Sequence, residues 1–335
     1  MAQARDKCTF APLFKSHLSM RISGFSMVKN ATKLYYPIKA SIESILPLVD
    51  EFVIAIGDCD PDDTTRKEVE SIQSNKVKII DTVWDLEKYP NGTENAHQTD
   101  IAREACSGDW LFYLQADEVV HEKYLPIIKA RCEELLDDRE VEGLVFDYVH
   151  FWGDYNHHQD SHGWYPNEIR IVRNLPDMHS WESAQSFRRI PDFDYVNYRQ
   201  QAGTYKLKVA KVEASIYHYG WVRPPRYMQN KKKALDTIHK GEKRVGEMYE
   251  KQQSDFDYGP LRLATTFSGT HPEVMSDWIA NFDWGDKLRQ KGPIPNNRPL
   301  FKHEKFKYRV ITFLERTFLG GMRLGEFRNY TLLKK

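Results

Sequence analysis

Cysteine is scarce in this sequence, and no two cysteines are close together. Only 4 occur among 335 residues, at Cys8, Cys59, Cys106 and Cys132. Disulfide frameworks and cysteine-based zinc sites use paired or closely spaced cysteines, so this spacing argues against both. Unpaired thiols are typical of a reducing compartment, which predicts a cytoplasmic protein.

Long apolar runs and an excess of one charge are also missing. No uncharged stretch is long enough to span a bilayer, and charges interrupt residues 1–20, which is not typical of a signal peptide. Lys plus Arg and Asp plus Glu both total 48, so the composition does not favour nucleic acid as a partner. Hydrophobic residues make up 41% of the chain, enough for one large domain or two smaller ones.

Strand and helix patterns alternate over residues 21–148. Apolar runs typical of buried strands cover 21–28, 52–56, 77–80 and 110–114, with helical spacing between them, as at 36–46 and 94–106. The alternation predicts an α/β fold in which helices flank a mainly parallel sheet.

The chain divides into three expected parts. Strands at 168–172 and 206–219 complete the α/β pattern, and a charged helix or helix pair follows at 227–251. We therefore expect an N-terminal segment at 1–20, an α/β domain at 21–225 and a helical, basic C-terminal extension at 226–335.

The strand at 110–114 lies in the run GDWLFYLQADE, which ends on Asp117 and Glu118. Ligands of α/β sheets bind beyond the carboxyl ends of the strands, and these two carboxylates stand at such an end. Carboxylate oxygens are the ligands that hard divalent cations prefer. The alternative is that the two acids cap a helix over 121–136.

Asp58 directly follows the strand at 52–56, where it can reach a nucleotide. It is the first of four closely spaced aspartates, with Asp60, Asp62 and Asp63. The alternative for this group is a turn that caps the next helix.

Taken in order, four stretches resemble the landmarks of family 2 glycosyltransferases with the GT-A fold, over roughly residues 20–220. They are Met27-Val28-Lys29-Asn30, Val49-Asp50-Glu51-Phe52-Val53-Ile54 leading to Asp58, Asp62-Asp63-Thr64, and the run ending in Gln115-Ala116-Asp117-Glu118. The resemblance implies an enzyme that transfers a sugar from a nucleotide-diphosphate-sugar, with inversion and with Mn²⁺ or Mg²⁺. The sequence departs from the family at Gln115, because the family's acidic triplet begins with aspartate.

The resemblance also implies roles for individual residues. Asp117 would bind the cation, with Glu118 supporting it and His218 as a further ligand, and the cation would neutralise the leaving diphosphate. The alternative for His218 is an ordinary core histidine. The residues expected to contact the donor are Lys29, Asn30, Asp58, Gln115, Ala116 and Arg223.

A basic segment follows His218. Gly220 gives this segment a flexible hinge, and Arg223 gives it a positive charge. This composition is typical of a loop that closes over a diphosphate. Further along, Lys231–Lys233 are expected on a solvated helix face.

An inverting transfer needs a carboxylate near the acceptor hydroxyl. Asp160, Glu168 and Glu182 are the candidates, and we expect Glu182 to be the base. Glu168 and Arg170 point the same way along a strand, so a structural ion pair is the leading alternative for Glu168. A surface position is the alternative for Glu182.

The acceptor is expected to be a saccharide or a lipid-linked acceptor. His157, His158 and His162 lack a zinc spacing, so they predict an acceptor-contacting loop. Aromatic residues on that loop offer faces for sugar stacking: Trp152, Tyr155, Trp164 and Tyr165. The basic tail Lys302–Lys335 suits peripheral contact with the inner face of a membrane, and its alternative is a final helix packed on the domain.

Two other functions compete with a transferase. A sugar-nucleotide nucleotidyltransferase needs a Gly-rich basic loop after the first strand, and residues 26–33 contain none. A degenerate scaffold that binds a sugar nucleotide, glycan or partner without turnover is the second alternative, and Gln115 is the residue that favours it.

Overall fold

The computed structural model describes residues 19–250, 253–296, 298–325 and 328–335. Most of the N-terminal segment expected at 1–20, including Cys8, lies outside the described residues. The other three cysteines are free thiols, as their spacing predicts.

The described part of the chain alternates strands and helices. Its strands are β1 (Ile22–Val28), β2 (Glu51–Ile56), β3 (Val77–Asp81), β4 (Trp110–Tyr113), β5 (Glu118–Val120), β6 (Gly143–Trp152), β7 (His157–Gln159), β8 (Asn167–Arg173), β9 (Met178–Trp181), β10 (Ser186–Arg189), β11 (Tyr205–Trp221), β12 (Thr265–Thr266) and β13 (Tyr330–Leu332). Its α-helices are α1 (Ile38–Ile45), α2 (Thr65–Glu70), α3 (Thr93–Glu104), α4 (Leu125–Glu134), α5 (Pro225–Lys240), α6 (Glu242–Tyr249), α7 (Ser276–Ala280) and α8 (Phe306–Phe318).

The first half of the sheet is parallel, as the alternating pattern predicts. Its strands lie in the order β3, β2, β1, β4, each parallel to its neighbour. All of β2 is buried and β1 nearly so, because helices cover both faces, and this explains the continuous apolar run at residues 52–56 in β2. Ile42 of α1 packs on one face with Ile54, and Ala102 of α3 packs on the other with Val53.

The second half of the sheet is mixed. β8 is antiparallel to both β4 and β6, because short loops turn the chain back from β6 through β7 to β8. β11 is parallel to β6 and also pairs with β5, β10 and β13. The α/β class and its mainly parallel, helix-flanked sheet are confirmed, but the second half combines the parallel pairs β6–β11 and β11–β13 with antiparallel ones.

The C-terminal extension is helical over α5 to α8, and it also adds two strands to the sheet. β13 lies beside β11, and β12 pairs with β7. Trp284 and Leu261 of the extension share a buried cluster with Phe151 and Tyr219 of the α/β domain. No helix among the described residues combines the length and apolarity that crossing a bilayer requires.

If Asp117 and Glu118 capped the helix considered at 121–136, that helix would have to begin directly after them. Residues 118–120 form β5, because they pair with β11, and α4 begins only at Leu125. Asp117 and Glu118 therefore do not cap a helix, and the capping alternative is wrong.

Candidate active site at the carboxyl ends of the strands

Asp117 lies in the turn between β4 and β5, at the carboxyl end of β4. β5 runs antiparallel to β11, so Glu118 lies opposite His218. The backbone N–H of Tyr219 also donates to the Asp117 carbonyl over 2.8 Å. Strand pairing therefore brings Asp117 and His218, the two main residues predicted to bind a cation, close together, although they are far apart in the sequence.

Three basic groups surround the Asp117 carboxylate. Its Oδ2 atom lies 2.9 Å from Lys231 Nζ, 3.7 Å from Arg223 Nη2 and 3.8 Å from His218 Nε2, and all four side chains are buried. Burial works to raise the pKa of Asp117, but the ion pairs with Lys231 and Arg223 hold that pKa well below its usual value. Asp117 is therefore an ionised carboxylate in strongly basic surroundings.

Lys231 corrects the expectation that Lys231–Lys233 form a solvated face. Its ammonium is buried and donates to Asp117 Oδ2 and, over 2.8 Å, to the carbonyl of Gly220. Lys232 instead pairs with Asp236, and Lys233 is exposed. One side of α5 meets the sheet, and burial there lowers the pKa of Lys231 to about 8.

The tautomer of His218 follows from a chain of two hydrogen bonds. His150 Nε2 lies 2.8 Å from the carbonyl of Tyr165, which only accepts, so Nε2 carries the proton. Burial keeps His150 neutral by lowering its pKa to about 4, and its Nδ1 therefore accepts from His218 Nδ1 over 3.0 Å. Because burial also holds the pKa of His218 well below its usual value, His218 Nε2 has a free lone pair on the side of Asp117.

Gly220 keeps the space beside these atoms open. A Cβ there would overlap the His218 imidazole and lie 2.8 Å from Asp117 Oδ2. A carboxylate oxygen and an imidazole nitrogen with a free lone pair suit Mn²⁺ or Mg²⁺. Asp117 and His218 therefore fit the divalent cation that the resemblance implies.

Glu118 is not available as a cation ligand, contrary to expectation. Arg170 donates to its Oε2 over 2.8 Å and to its Oε1 over 2.7 Å. The Tyr148 hydroxyl and the Gln115 backbone N–H use the same two oxygens, over 2.9 and 3.1 Å. Glu118 is completely buried, and its role in this structure is to hold Arg170.

Gln115 stands where the glycosyltransferases that the sequence resembles have an acid, and its contacts explain why an amide is useful there. Its Nε2 donates to the carbonyl of Ala184 over 3.1 Å, which ties the β4–β5 turn to the β9–β10 turn. An aspartate carboxylate has no hydrogen to donate to that carbonyl. Ala116, also expected to contact the sugar nucleotide, is buried next to Gln115, and its side chain has no polar group that could form a hydrogen bond.

Asp58 follows β2 and is bonded from two directions. Its Oδ1 accepts from Lys29 Nζ over 2.8 Å and from the Trp84 backbone N–H over 2.9 Å. Partial burial works to raise the pKa of Asp58, but these bonds outweigh it and hold the pKa below its usual value. Asn30 has a left-handed φ of 55° and accepts from the Asp60 N–H over 2.8 Å, so its side chain shapes the same loop.

The sequence reasoning missed Trp84, which lies just beyond β3 and beside Asp58. The Lys29 ammonium lies 5.7 Å from the centroid of its ring. Its indole Nε1 is buried and has no hydrogen-bond partner among the described residues. The only signal was its place after the third strand, at the edge of the sheet where Asp58 follows the second.

A cleft of about 410 Å³ is connected to this site through two residues. Its wall includes Tyr165, whose carbonyl bonds to His150, and His150 in turn bonds to His218. Two carboxylates, Glu168 and Glu182, also line it. Its aromatic side chains are Trp164, Tyr165, Trp181, Tyr308 and Tyr330.

The ion pair with Arg170, which was the alternative to a catalytic role for Glu168, does not form. Arg170 bonds to Glu118 and to the carbonyls of Ile169 and Gln185 instead. Glu168 is half-buried on the cleft wall, and its partial loss of hydration there raises its pKa to about 7 despite the charge of Arg170. Glu168 is therefore a cleft carboxyl group that titrates near neutral pH.

Glu182 lies in the β9–β10 turn, where the backbone is unusual. Glu182 and Ala184 both have a left-handed φ of 57°, which costs free energy for residues other than glycine. The Glu182 N–H donates to the Tyr198 carbonyl over 2.8 Å, and Gln115 holds Ala184. These bonds fix the turn at the cleft, so Glu182 is not an isolated surface acid.

Asp160 does not line the cleft. It bonds to Arg316 of α8 and accepts from the Thr265 hydroxyl over 2.7 Å, so it links the extension to β7. Two histidines of the predicted acceptor-contacting loop are likewise bonded within the protein. His157 bonds to Asp154 over 2.8 Å, and His162 bonds to Glu315 over the same distance.

The aromatic residues predicted for sugar stacking divide into two pairs. Trp152 and Tyr155 are buried in the core shared with the extension, where their faces are covered. Trp164 and Tyr165 line the cleft.

One further cluster has the composition of a cation site. Oxygen and nitrogen atoms of Asp100, Glu104 and His179 lie within 4.8 Å of one another. Arg103 neutralises it, since its Nε lies 3.1 Å from Asp100 Oδ1 and its Nη2 lies 3.1 Å from Glu104 Oε1. The cluster therefore has its own cation.

No family model matches this chain, and no curated protein matches it. Among solved structures, S. aureus TarS is 14% identical with a TM-score of 0.37, over 70% of this chain and 41% of that chain. Glucosyl-3-phosphoglycerate synthase from Mycobacterium tuberculosis, in complex with Mn²⁺, UDP and glucosyl-3-phosphoglycerate, is 18% identical with a TM-score of 0.27, over 38% of this chain and 44% of that chain.

The mannosyltransferase PcManGT from Pyrobaculum calidifontis, in complex with GDP-Man and Mn²⁺, is 16% identical with a TM-score of 0.28, over 37% of this chain and 34% of that chain. The matched part spans less than half the length of each of these three proteins. These identities and TM-scores are too low to transfer a ligand or an activity.

Proposed function

We propose that this protein is a GT-A-type glycosyltransferase that moves a sugar, with inversion, from a nucleotide-diphosphate-sugar to a saccharide or lipid-linked acceptor. One observation carries the proposal. Buried Asp117 lies at the carboxyl end of a parallel strand, among two cations and an imidazole, and His150 and Tyr165 connect this site to a cleft that contains two carboxylates. A diphosphate leaving group needs the first feature, and acceptor activation needs the second.

The donor would lie across the ends of β1, β2 and β4. Lys29 and Asp58 would contact the nucleoside, and the indole of Trp84 offers a face for the base. Arg223 would bind the diphosphate, because its Nη2 is buried without a hydrogen-bond partner among the described residues. A divalent cation bound by Asp117 and His218 supplies charge that stabilises the leaving diphosphate.

The acceptor would enter the aromatic cleft. We propose Glu168 as the base that takes the acceptor proton, because its raised pKa suits proton transfer near neutral pH. Glu182 was the base expected from the sequence, and it lies in the same cleft. Replacing each glutamate separately by glutamine distinguishes the two roles.

A degenerate scaffold is the remaining alternative, and ligand binding alone does not exclude it. Unfolding should be followed with UDP, GDP and dTDP, each with and without Mn²⁺, because a bound ligand raises the melting temperature by mass action. The preferred nucleotide then selects the sugar donors for a turnover assay with Asp117→Asn as the matched variant. Binding without turnover by the wild type favours the scaffold, and no binding of any nucleotide contradicts the proposal.

We further propose that the membrane contact expected for Lys302–Lys335 is confined to α8 and uses an anionic bilayer. Large apolar side chains on its outer face are exposed: Phe306 by 79%, Phe313 by 61% and Phe318 by 70%. An amphipathic helix of this kind suits the surface of a bilayer. β13, by contrast, is paired with β11 and belongs to the sheet.

The charges on α8 and its flanks favour an anionic surface. Glu304 and Glu315, the acids within 302–325, are buried and paired with Arg298 and Arg323. The exposed charges beside the phenylalanines come from Lys305, Lys307 and Arg309. Because an anionic bilayer attracts such a rim, its headgroups are the partner that this face fits.

A further inference from the structure

Lys231 occupies a place built for a cation. Its Nζ donates to Asp117 Oδ2 over 2.9 Å and to the Gly220 carbonyl over 2.8 Å. The ring of Tyr36 lies 5.1 Å away and that of Trp221 6.0 Å away, so aromatic faces border the ammonium as well. The carboxylate oxygen that holds this lysine is the one closest to His218 Nε2 in the proposed cation site.

The charges around Asp117 do not balance. Glu118 is taken by Arg170, so one carboxylate, Asp117, faces both Lys231 and Arg223. Buried charge without a partner is costly, and Arg223 Nη2 lacks a hydrogen bond among the described residues. The surplus charge and the free donor both point to an anionic ligand with several oxygens.

Asp117 Oδ2 cannot serve Lys231 and a divalent cation equally well, because like charges repel strongly at short range in a buried site. Lysine has a long, flexible stem and one compact charge, so its ammonium can move to a nearby phosphate oxygen while α5 stays in place. A diphosphate would then both bind Lys231 and free Asp117.

We propose that Lys231 and the divalent cation compete for Asp117, and that the diphosphate of the donor ends the competition by binding Lys231. This inference rests on the proposed function. It makes Lys231 a ligand of the leaving group, and it couples donor binding to cation binding, since each ligand favours the state that accepts the other.

The first test uses Mn²⁺ alone, with binding measured by calorimetry and by the electron spin resonance of free Mn²⁺. Lys231→Met removes the competing charge and should tighten Mn²⁺ binding by about tenfold or more. Lys232→Met is the matched control, because Lys232 is the next residue of α5 and pairs with Asp236. Unchanged or weaker Mn²⁺ binding by Lys231→Met overturns the inference.

The second test uses inorganic pyrophosphate without metal, so that it is independent of the base and of the cation. Asp117→Asn frees Lys231, and the double variant Asp117→Asn/Lys231→Met replaces the ion pair with two neutral side chains of similar size, which protects the fold. The single variant should bind pyrophosphate about tenfold more tightly than the double variant. Equal binding by the two variants overturns the inference.

If the proposed function is wrong, the binding experiments give a different result from the one expected when only the role of Lys231 is wrong. In that case the wild type binds none of UDP, GDP and dTDP, with or without Mn²⁺, whatever residue stands at position 231. If the wild type binds Mn²⁺ and a nucleotide but Lys231→Met and Lys232→Met behave alike, only the role of Lys231 fails.

Discussion

The Nδ1 atoms of His150 and His218 lie 3.0 Å apart, and the Tyr165 carbonyl decides which ring donates. Because that carbonyl holds a proton on His150 Nε2, His218 donates through Nδ1 and keeps its Nε2 lone pair for the Asp117 site. His150 is therefore a positioning residue: it acts on the proposed cation through His218.

Removing this acceptor should weaken cation binding. We expect His150→Leu to lower Mn²⁺ affinity by about ten- to a hundredfold, as is usual when the partner of a ligating histidine is lost. His150→Gln should restore part of the affinity, because its side-chain oxygen can accept from His218 Nδ1. Calorimetric titration with Mn²⁺ measures both, and equal affinities for Leu and Gln would mean that His150 only fills space.

The identity of the base can be read from a pH profile. With Glu168 as base, kcat/KM should rise with pH to about 7 and then level off, because the ionised form accepts the proton. Glu168→Gln should reduce kcat by about a hundredfold or more and abolish this rise, while Glu182→Gln should keep its shape. The reverse result would assign the base to Glu182, as the sequence first indicated.

The parallel half of the fold could be predicted from the sequence because the pattern there is local. Residues 52–56 are a continuous apolar run, and residues 22–28 have only serine and glycine between their apolar residues. Ile38, Ile42 and Ile45 repeat with the period of a helix. The position of Asp58 and Asp117 at strand ends follows from the same pattern, and the structure places both there.

The rest of the site depends on contacts between distant residues. Helical periodicity shows which residues share a side of α5, but only its packing on the sheet shows that Lys231 meets Asp117. In the same way, the strand period places Glu168 and Arg170 on the same face of the sheet. The pairing of β5 with β11, however, positions Glu118 to form the ion pair with Arg170. Sequence alone could not resolve such competition between partners.

At the opposite end of the strands, Glu51 should make stability depend on pH. Its carboxylate is 3% exposed and accepts from the hydroxyls of Ser23 and Ser107 and from Lys78. Burial works to raise the pKa of Glu51, but these bonds lower it from 4.5 to about 2. This contribution is present above pH 4.5, the unfolded value, and is lost as the pH falls towards 2.

Urea unfolding at several pH values measures that contribution. Glu51→Gln should lower the free energy of unfolding by about 2 kcal/mol at neutral pH and flatten its decline below pH 4.5. Glu133→Gln is the control, because Glu133 is exposed and its nearest cation is 4.0 Å away. Parallel pH curves for wild type and Glu51→Gln would contradict the prediction.

The outer face of α8 should bind anionic bilayers through two separable contributions. Vesicles of equal parts phosphatidylcholine and phosphatidylserine should sediment with the wild type, and phosphatidylcholine alone should not. Lys305→Ala/Lys307→Ala should weaken binding by about fivefold for each lysine and reduce its salt dependence. Phe313→Ser/Phe318→Ser should weaken binding at every salt concentration, because apolar burial is not screened. Val83→Ser is the control, since Val83 is 74% exposed on a distant loop. Equal sedimentation with both kinds of vesicle, or with neither, would show that anionic lipid is not what covers this helix.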